Sequence, residues 1–428
     1  MKKLKKNDKK MILKNGLIID PYKNIKYYKD IFIDNGIIKD ISKDIDVKDA
    51  TVIDCKKKII TCGFVDLHAH FREPGHENKE TIETGSLSAM AGGYTDVCIM
   101  PNTDPPIDSP ESIKFLLDRA ALLPINIYPI GAITKAQRGK ELAEIAGMIS
   151  SGAIAISDDG LPVENGNVLR FALEYSKMFD IPVINHAEDV CLRADGLMNE
   201  GFMSTMLGLD GNPDIAESTM IYRDLSIAEY TGGKIHIPHV SSAKSVELIR
   251  QYKEKGVSVT AEVTPHHLYA TDKILENYNS NAKVAPPIRT DVDRDALIKG
   301  LQSGIIDCIA TDHAPHSIED KECDFDQASC GMIGLETAFS LSYEILTKNG
   351  SSIEEIINWF TSKPSHILGI KKNGFSIGLE ADICIIDLDK KWTFKRENIY
   401  SKSYNTPFLG QKFNSSIYMV MSKGYYFK

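Results

Sequence analysis

A chain of 428 residues, 43% hydrophobic and 25% charged, is too long for one small core and has the balance of a globular protein, which excludes disordered and fibrous classes. Its net charge of −9 argues against a nucleic-acid surface, and no apolar run reaches the roughly 18 residues that cross a membrane. The eight cysteines form no C-x-x-C pair and read as reduced thiols in a reducing compartment rather than as a metal or redox pair at Cys323 and Cys330.

The chain begins "MKKLKKNDKK", six lysines in ten residues. Lys14, Asn15 and Gly16 interrupt the apolar residues after it, so no signal-peptide core forms; residues 1–10 read as a solvated, frayed tail of a cytoplasmic protein. Residues 11–62 read as short strands. Asn35-Gly36 between β-branched runs is a hairpin signal, and Asn15-Gly16 repeats it. The segment 375–428, with "ADICIIDLD" and "SSIYMVMSKGYYF", has the same character, so 11–62 and 375–428 are expected to form one small composite, sandwich-like β domain.

Between them, 63–374 holds eight short apolar runs that end in polar or small residues: "GFVDLHAH", "TDVCIMPNT", "INIYPIGAIT", "AIAISDDG", "IPVINHAED", "KIHIPHVSS", "VSVTAEVTPHH" and "IIDCIATDHAPH". Runs apolar on both faces suit parallel strands buried on both sides. Helix-like stretches separate most of them, such as "SPESIKFLLDRAALL" with Ser109 as N-cap and Pro110 at the first turn. Eight such units predict an α/β fold of the (β/α)8 TIM-barrel class rather than an open doubly wound sheet.

In such a barrel the carboxyl ends of the strands open on one face. His68 and His70 end the first run, Asp158 and Asp159 the fourth, His186 the fifth, His239 the sixth and Asp312 the eighth. Period-two alternation aims His68 and His70 to the same side. Any one of these alone reads as a satisfied polar residue or a turn. Together, four imidazoles and two carboxylates suit one or two divalent ions, zinc foremost, which would acidify a water and polarise a carbonyl. Arg72 and Asn102 fall at the rim beside them, where a guanidinium fork and an amide suit a planar carboxylate; the competing reading of Arg72 is a surface ion pair with Glu73 or Glu77. His316 is placed to reach back over the mouth, His266 and His267 end the seventh run, and His313 is expected to point away from Asp312.

"GFVDLHAHFREPG", "MPNT", "SDDG", "NHAED", "HVSSAKS", "KVAPPIR", "ATDHAPH" and "GMIGLET", in this order, resemble the class I bacterial dihydroorotases of the amidohydrolase superfamily. The resemblance runs from about residue 12 to the C-terminus. It implies a metal-dependent (β/α)8 barrel with a small β domain, and reversible cyclisation of N-carbamoyl-L-aspartate to (S)-dihydroorotate in pyrimidine synthesis. It implies His68 and His70 on one zinc, His186 and His239 on a second, Asp159 rather than Asp158 bridging them, and Asp312 as ligand and catalytic acid/base acting with a metal-activated hydroxide. It also implies that Arg72, Asn102 and His316 bind the substrate carboxylate and that the backbone at Cys330 and Gly331 meets the ring amides. Many relatives carry Asn where this chain has Ala285, which removes one side-chain contact to the ring. The resemblance leaves open a homodimer and an association with aspartate carbamoyltransferase. Hydantoinases and allantoinases, the nearest rival class, usually bridge their metals with a carbamylated lysine at the fourth strand; "SDDG" has none. A non-catalytic structural homologue would be expected to have lost ligands. The segment "SIEDKECDFDQASCGM", long, charged and without periodicity, is expected to close over the site.

Overall fold

The computed structural model describes residues 4–6 and 9–428. Its centre is a ring of eight parallel strands: β1 (Phe64–Ala69), β2 (Tyr94–Ile99), β3 (Asn126–Pro129), β4 (Ile156–Ser157), β5 (Val183–Ile184), β6 (Ile235–Ile237), β7 (Val259–Val263) and β8 (Cys308–Ile309). Ladders join β1 to β2 to β3, and β4 through to β8. A parallel bridge between Gly131 and Ile156 links β3 to β4. A second, between Ala69 and His313, returns β8 to β1, with His70 N–H donating to the His313 carbonyl at 2.9 Å. The sheet therefore closes, as the count of eight units requires. Every residue of β1 and β2 is buried, which explains why these segments read as apolar runs and not as alternating ones.

Eight helices accompany the strands: α1 (Ile82–Gly92), α2 (Pro110–Ala120), α3 (Ile145–Ser150), α4 (Gly166–Ser176), α5 (Asp214–Thr231), α6 (Ala243–Glu254), α7 (Asp291–Gln302) and α8 (Ala338–Lys348). Their starts are written locally. Ser109 accepts the Ser112 N–H in a capping box and Pro110 opens α2; Thr81 caps α1 in the same way. The seventh strand stops at Val263, earlier than the apolar run. Thr264 accepts the His267 N–H and starts a single helical turn, Pro265–Tyr269, so His266 and His267 sit on that turn, both buried.

The two ends of the chain make two further sheets. One has seven strands in the order Leu4–Lys6, Tyr425–Phe427, Ser416–Ser422, Ile383–Asp387, Lys58–Thr61, Leu17–Asp20, Ile25–Tyr28. The other has four: Ile37–Ser42, Asp30–Asp34, Met11–Lys14, Thr51–Asp54. They share one apolar cluster that includes Leu13, Ile18, Ile33, Ile60, Ile383 and Met419.

Two expectations are corrected. Of the lysine-rich start, residues 1–3 and 7–8 lie outside the described residues, but Leu4–Lys6 is not frayed: it pairs antiparallel with Tyr425–Phe427 and takes a sheet edge, where lysines are well tolerated. Asn15-Gly16 is not a hairpin. Met11–Lys14 belongs to the four-stranded sheet and Leu17–Asp20 to the seven-stranded one, so the turn carries the chain between sheets. A Cβ at Gly16 would stand 2.5 Å from Ile60 Cδ1, so the close crossing, not a tight hairpin, needs the glycine. Asn35-Gly36 does form the expected hairpin, with Asp34 opposite Ile37 and positive φ at both turn residues. Among the described residues no helix is long and apolar enough to cross a membrane.

Candidate metal centre and active site

The carboxyl ends of β1, β4, β5, β6 and β8 bring their polar residues together, although His68 and Asp312 are 244 positions apart. His68, His70 and Asp159 form one group whose ligand-type atoms lie within 4.8 Å of one another; Asp159, His186 and His239 form a second. Asp159 belongs to both. Its Oδ2 is 3.2 Å from His68 Nε2 and 3.5 Å from His70 Nε2; its Oδ1 is 3.3 Å from His239 Nε2 and 3.4 Å from His186 Nδ1. One carboxylate thus faces two imidazole pairs with its two oxygens. Asp312 Oδ1 joins the first group, 3.1 Å from His70 Nε2 and 3.5 Å from His68 Nε2.

Asp158 takes no part. Its carboxylate turns toward the end of β3, accepts the Ile133 and Thr134 N–H groups at 2.8 and 3.1 Å and bonds the Thr134 hydroxyl. The geometry therefore separates the two adjacent aspartates, one into the mouth and one into the wall.

The electrostatics of the cluster favour a cation. Burial pulls His68 down, yet Asp159, Asp312 and Glu262 together raise it well above its ordinary value. Burial likewise opposes charge on His186, and Asp159 with Glu188 brings it up to about 10. His70 is lowered by burial. Asp312 is pushed up by burial but held below the usual carboxylate range by His68 and His70. Nitrogen and oxygen donors, no thiolate, and a surplus of buried negative charge fit a metal cation.

Each imidazole of β1 is held from behind. Glu262, on β7, is 2.7 Å from His68 Nδ1 and also 3.1 Å from His236 Nε2. Asn102 Oδ1 is 2.7 Å from His70 Nδ1. Both contacts hold a proton on Nδ1 and aim Nε2 into the mouth, the orienting role that a metal-ligating histidine needs. Glu188 stands 3.7 Å from His186 Nε2 and is itself fixed by Asn212 at 2.8 Å. Sequence reasoning missed Glu262 and Glu188. The signal for Glu262 was a lone carboxylate inside the apolar run "VSVTAEV".

The rim is built by the loops after β1, β2 and β8. Arg72 donates from Nε to the Pro315 carbonyl at 3.2 Å, and its Nη2 lies 3.4 Å from His316 Nε2. Its competing partners are engaged elsewhere: Glu73 pairs with Arg119 at 2.8 Å and Glu77 accepts the Gly75 N–H. Among the described residues no carboxylate is within ion-pair distance of Arg72. Burial draws the guanidinium down to about 10, still charged at neutral pH. Burial, and then the charge of Arg72, pull His316 to about 3, so this imidazole is neutral. His316 Nε2 is 2.8 Å from the Cys330 carbonyl, and its Nδ1 is buried without a hydrogen-bond partner. Gly331 N–H donates to the Lys283 carbonyl at 2.9 Å, so that amide is spent on the neighbouring loop, two residues before Ala285. Gly331 has a φ of +136° and a Cβ there would stand 2.9 Å from His316 Nε2, so glycine is required for this approach.

Arg72, His239 and Asp312 all have positive φ, at 61°, 34° and 46°. Non-glycine residues held there store strain that the surrounding structure must hold in place. His266 and His267 are buried behind it. His267 bridges Thr264 Oγ1 at 2.8 Å and the Pro286 carbonyl at 3.1 Å, while His266 Nε2 has no partner. His313 does point away from the mouth: it receives the Gly334 N–H at Nδ1 and lies 3.3 Å from Glu80 at Nε2. The aperiodic segment after β8 carries a short helix, Ile318–Lys321, and is tied down by the buried Lys321, whose Nζ donates to the Ser329 and Gly331 carbonyls at 2.6 and 3.1 Å.

Comparison with known proteins places the chain among relatives of one family. Residues 57–245 match the family model described as Dihydro-orotase-like. The chain is 46% identical to a dihydroorotase of Caldanaerobacter subterraneus subsp. tengcongensis, across 97% of this chain and 96% of that one. It is 47% identical to a dihydroorotase of Endomicrobium trichonymphae, across 96% and 98%. Among solved structures it is similar to an L-hydantoinase from Arthrobacter aurescens, with a TM-score of 0.85 and 26% identity over 97% of this chain and 95% of that one. A dihydropyrimidinase from Brevibacillus agri shares the fold, with a TM-score of 0.83 at 21% identity over 97% and 94%.

Proposed function

The chain belongs to the dihydroorotase family of the amidohydrolase superfamily, and from that premise we propose how its own residues close and open the dihydropyrimidine ring. The observation that carries the reading is the divided carboxylate of Asp159, one oxygen toward His68 and His70 and the other toward His186 and His239. These five residues, with Asp312 beside the first pair, would hold two zinc ions. When bound, the zinc would supply Lewis acidity toward a substrate carbonyl and toward water.

The rest falls to the protein. The substrate is a ring amide bearing a carboxylate, or its opened carbamoyl-aspartate form. Arg72, the free Nδ2 of Asn102 and His316 would seat the α-carboxylate, fixing the ring carbonyl over the mouth and converting approach into orientation. In the hydrolytic direction Asp312 accepts the proton of the attacking water and passes it to the departing ring nitrogen. In the biosynthetic direction it takes a proton from the carbamoyl nitrogen as that atom attacks the side-chain carboxyl, and returns it to the carboxyl oxygen whose C–O bond breaks, so that this oxygen leaves as water. Low proton affinity in the resting site suits a base that must start ionised. Ala285 offers no hydrogen bond to the ring, so in-plane recognition falls to backbone at Cys330 and in the 283–286 loop.

The test is turnover of dihydroorotate, monitored by ultraviolet absorbance, before and after chelation and zinc return. Loss on chelation with recovery on zinc supports the reading. If fully loaded protein leaves dihydroorotate intact but opens hydantoin or allantoin, the substrate assignment is wrong.

A further inference from the structure

The carboxylate-binding rim is held in place by a segment 89 residues further along the chain. Asn405 is buried, 4% exposed, and spends its whole amide on the loop after β8. Its Oδ1 accepts the His316 N–H at 3.0 Å. Its Nδ2 donates to the Ala314 carbonyl at 3.0 Å and the Gly331 carbonyl at 3.1 Å. Its own carbonyl accepts the Ile333 N–H at 2.9 Å. The two flanks of the rim, 314–316 and 331–333, are thereby joined across one side chain. The same stretch is anchored on its other side: Lys402 N–H donates to Glu80 at 3.1 Å, the Ser401 hydroxyl bonds the same carboxylate, and Ser403 Oγ donates to the Lys79 carbonyl at 2.6 Å. Residues 401–405 therefore fasten the loop that bears Arg72 and the loop that carries His316 to one another.

We infer that Asn405 is a positioning residue that sets His316 and the Gly331 edge at the distance the substrate carboxylate requires; this rests on His316 binding that carboxylate. The peptide that joins Pro315 to His316 is held from two sides, by Asn405 at its N–H and by Arg72 Nε at its carbonyl, while the ring Nε2 lies 2.8 Å from the Cys330 carbonyl. A shift of the 316 backbone would misplace the ring although the metal cluster, held by the strand ends, stays as it is. Three hydrogen bonds from one amide are needed, so no smaller side chain spans the gap.

The experiment is a double-mutant cycle on the intact, zinc-loaded chain with Asn405→Ala, His316→Ala and the pair, scored as KM and kcat for dihydroorotate, with Asn405→Ser as the variant that is retained if Asn405→Ala does not fold. Asn405→Ala is expected to raise KM about tenfold or more, the scale of one charge-linked hydrogen bond, with a smaller change in kcat and unchanged zinc content. In the His316→Ala background the same change should add little, because the residue through which it acts is gone. Fully additive effects, or a fall in kcat at constant KM, would overturn the inference and leave Asn405 as scaffold. If His316→Ala itself leaves KM unchanged, the carboxylate reading fails instead, so the two failures are told apart.

Discussion

Asp312 and Glu262 show how much one side chain can be asked to do at the mouth of this barrel. Asp312 is buried, ionised and 3.1 Å from His70, so replacing it with Asn keeps shape and removes the proton acceptor. Asp312→Asn is expected to lower kcat by about 10²–10⁴-fold while the circular dichroism spectrum is retained; activity within a few-fold of the parent would exclude it as the acid/base. Among the described residues the Glu262 carboxylate bonds histidines only, at the ring nitrogens of His68 and His236 and the backbone N–H of His239. It accepts from His68 at 2.7 Å and fixes which nitrogen faces the metal. Glu262→Gln should weaken metal retention by about 10–100-fold, read by competition with a chromophoric chelator, because a neutral amide orients the imidazole less firmly and makes it less basic. The two residues differ in legibility for a physical reason. Asp312 comes directly after an apolar run, and a strand-end carboxylate is visible in one dimension. The partnership of Glu262 with His68 depends on which strands meet across the barrel and on their stagger. The choice of Asp159 over Asp158 was likewise beyond alternation alone: both are buried, and only the turn after β4 decides which one leaves the wall.

At the scale of elements, the strand-helix units were legible because β1 and β2 are buried on both faces and the helix starts carry their own caps at Thr81 and Ser109. The chain crossing at Asn15-Gly16 was not, since the same dipeptide serves a hairpin at 35–36 and a passage between sheets at 15–16. What propensity also hides is close packing, and α1 provides a test of it. Gly85 sits inside that helix, where Ala would ordinarily gain about 1 kcal/mol. A Cβ there would lie 2.7 Å from the ring of Phe71, a residue that is 1% exposed and stands between His70 and Arg72. The ring has nowhere to go without moving the strand end, and overpacking of this kind costs about 1–3 kcal/mol. Gly85→Ala is therefore expected to lose stability in urea unfolding and to raise KM through Arg72. A more stable variant with unaltered KM would show that the helix can back away from the strand.

For the whole molecule, the barrel and the terminal sheets are locked by an ion cluster at their junction. Lys372 bonds Asp96, in β2, and Asp382, beside the strand Ile383–Asp387 of the seven-stranded sheet. Asp96 is fully buried and also accepts from Asn126 and Tyr128 at 3.1 and 3.0 Å. The two carboxylates outweigh the burial of Lys372 and hold its ammonium well above the ordinary lysine value of 10.5. Lys372→Met would keep the stem and remove the charge, leaving the buried Asp96 and the partly buried Asp382 without a cation between them. Breaking a buried group of this kind from one side costs about 3–5 kcal/mol, which is far more than an exposed pair would cost. The direction in which Lys372 is displaced sets the pH dependence. A lysine whose folded value lies above its unfolded value contributes stability that is complete below pH 10.5 and is lost as pH climbs through the folded value. The stability difference between parent and Lys372→Met, from urea unfolding, should therefore stay flat from about pH 7 to 9.5 and narrow only at higher pH. A difference that shrinks already near pH ~8, or is absent throughout, would mean that apolar packing of Ile59, Ile386 and Val420 in one cluster with Phe64 and Tyr94 of the barrel, and not this ion cluster, holds the two parts of the chain together.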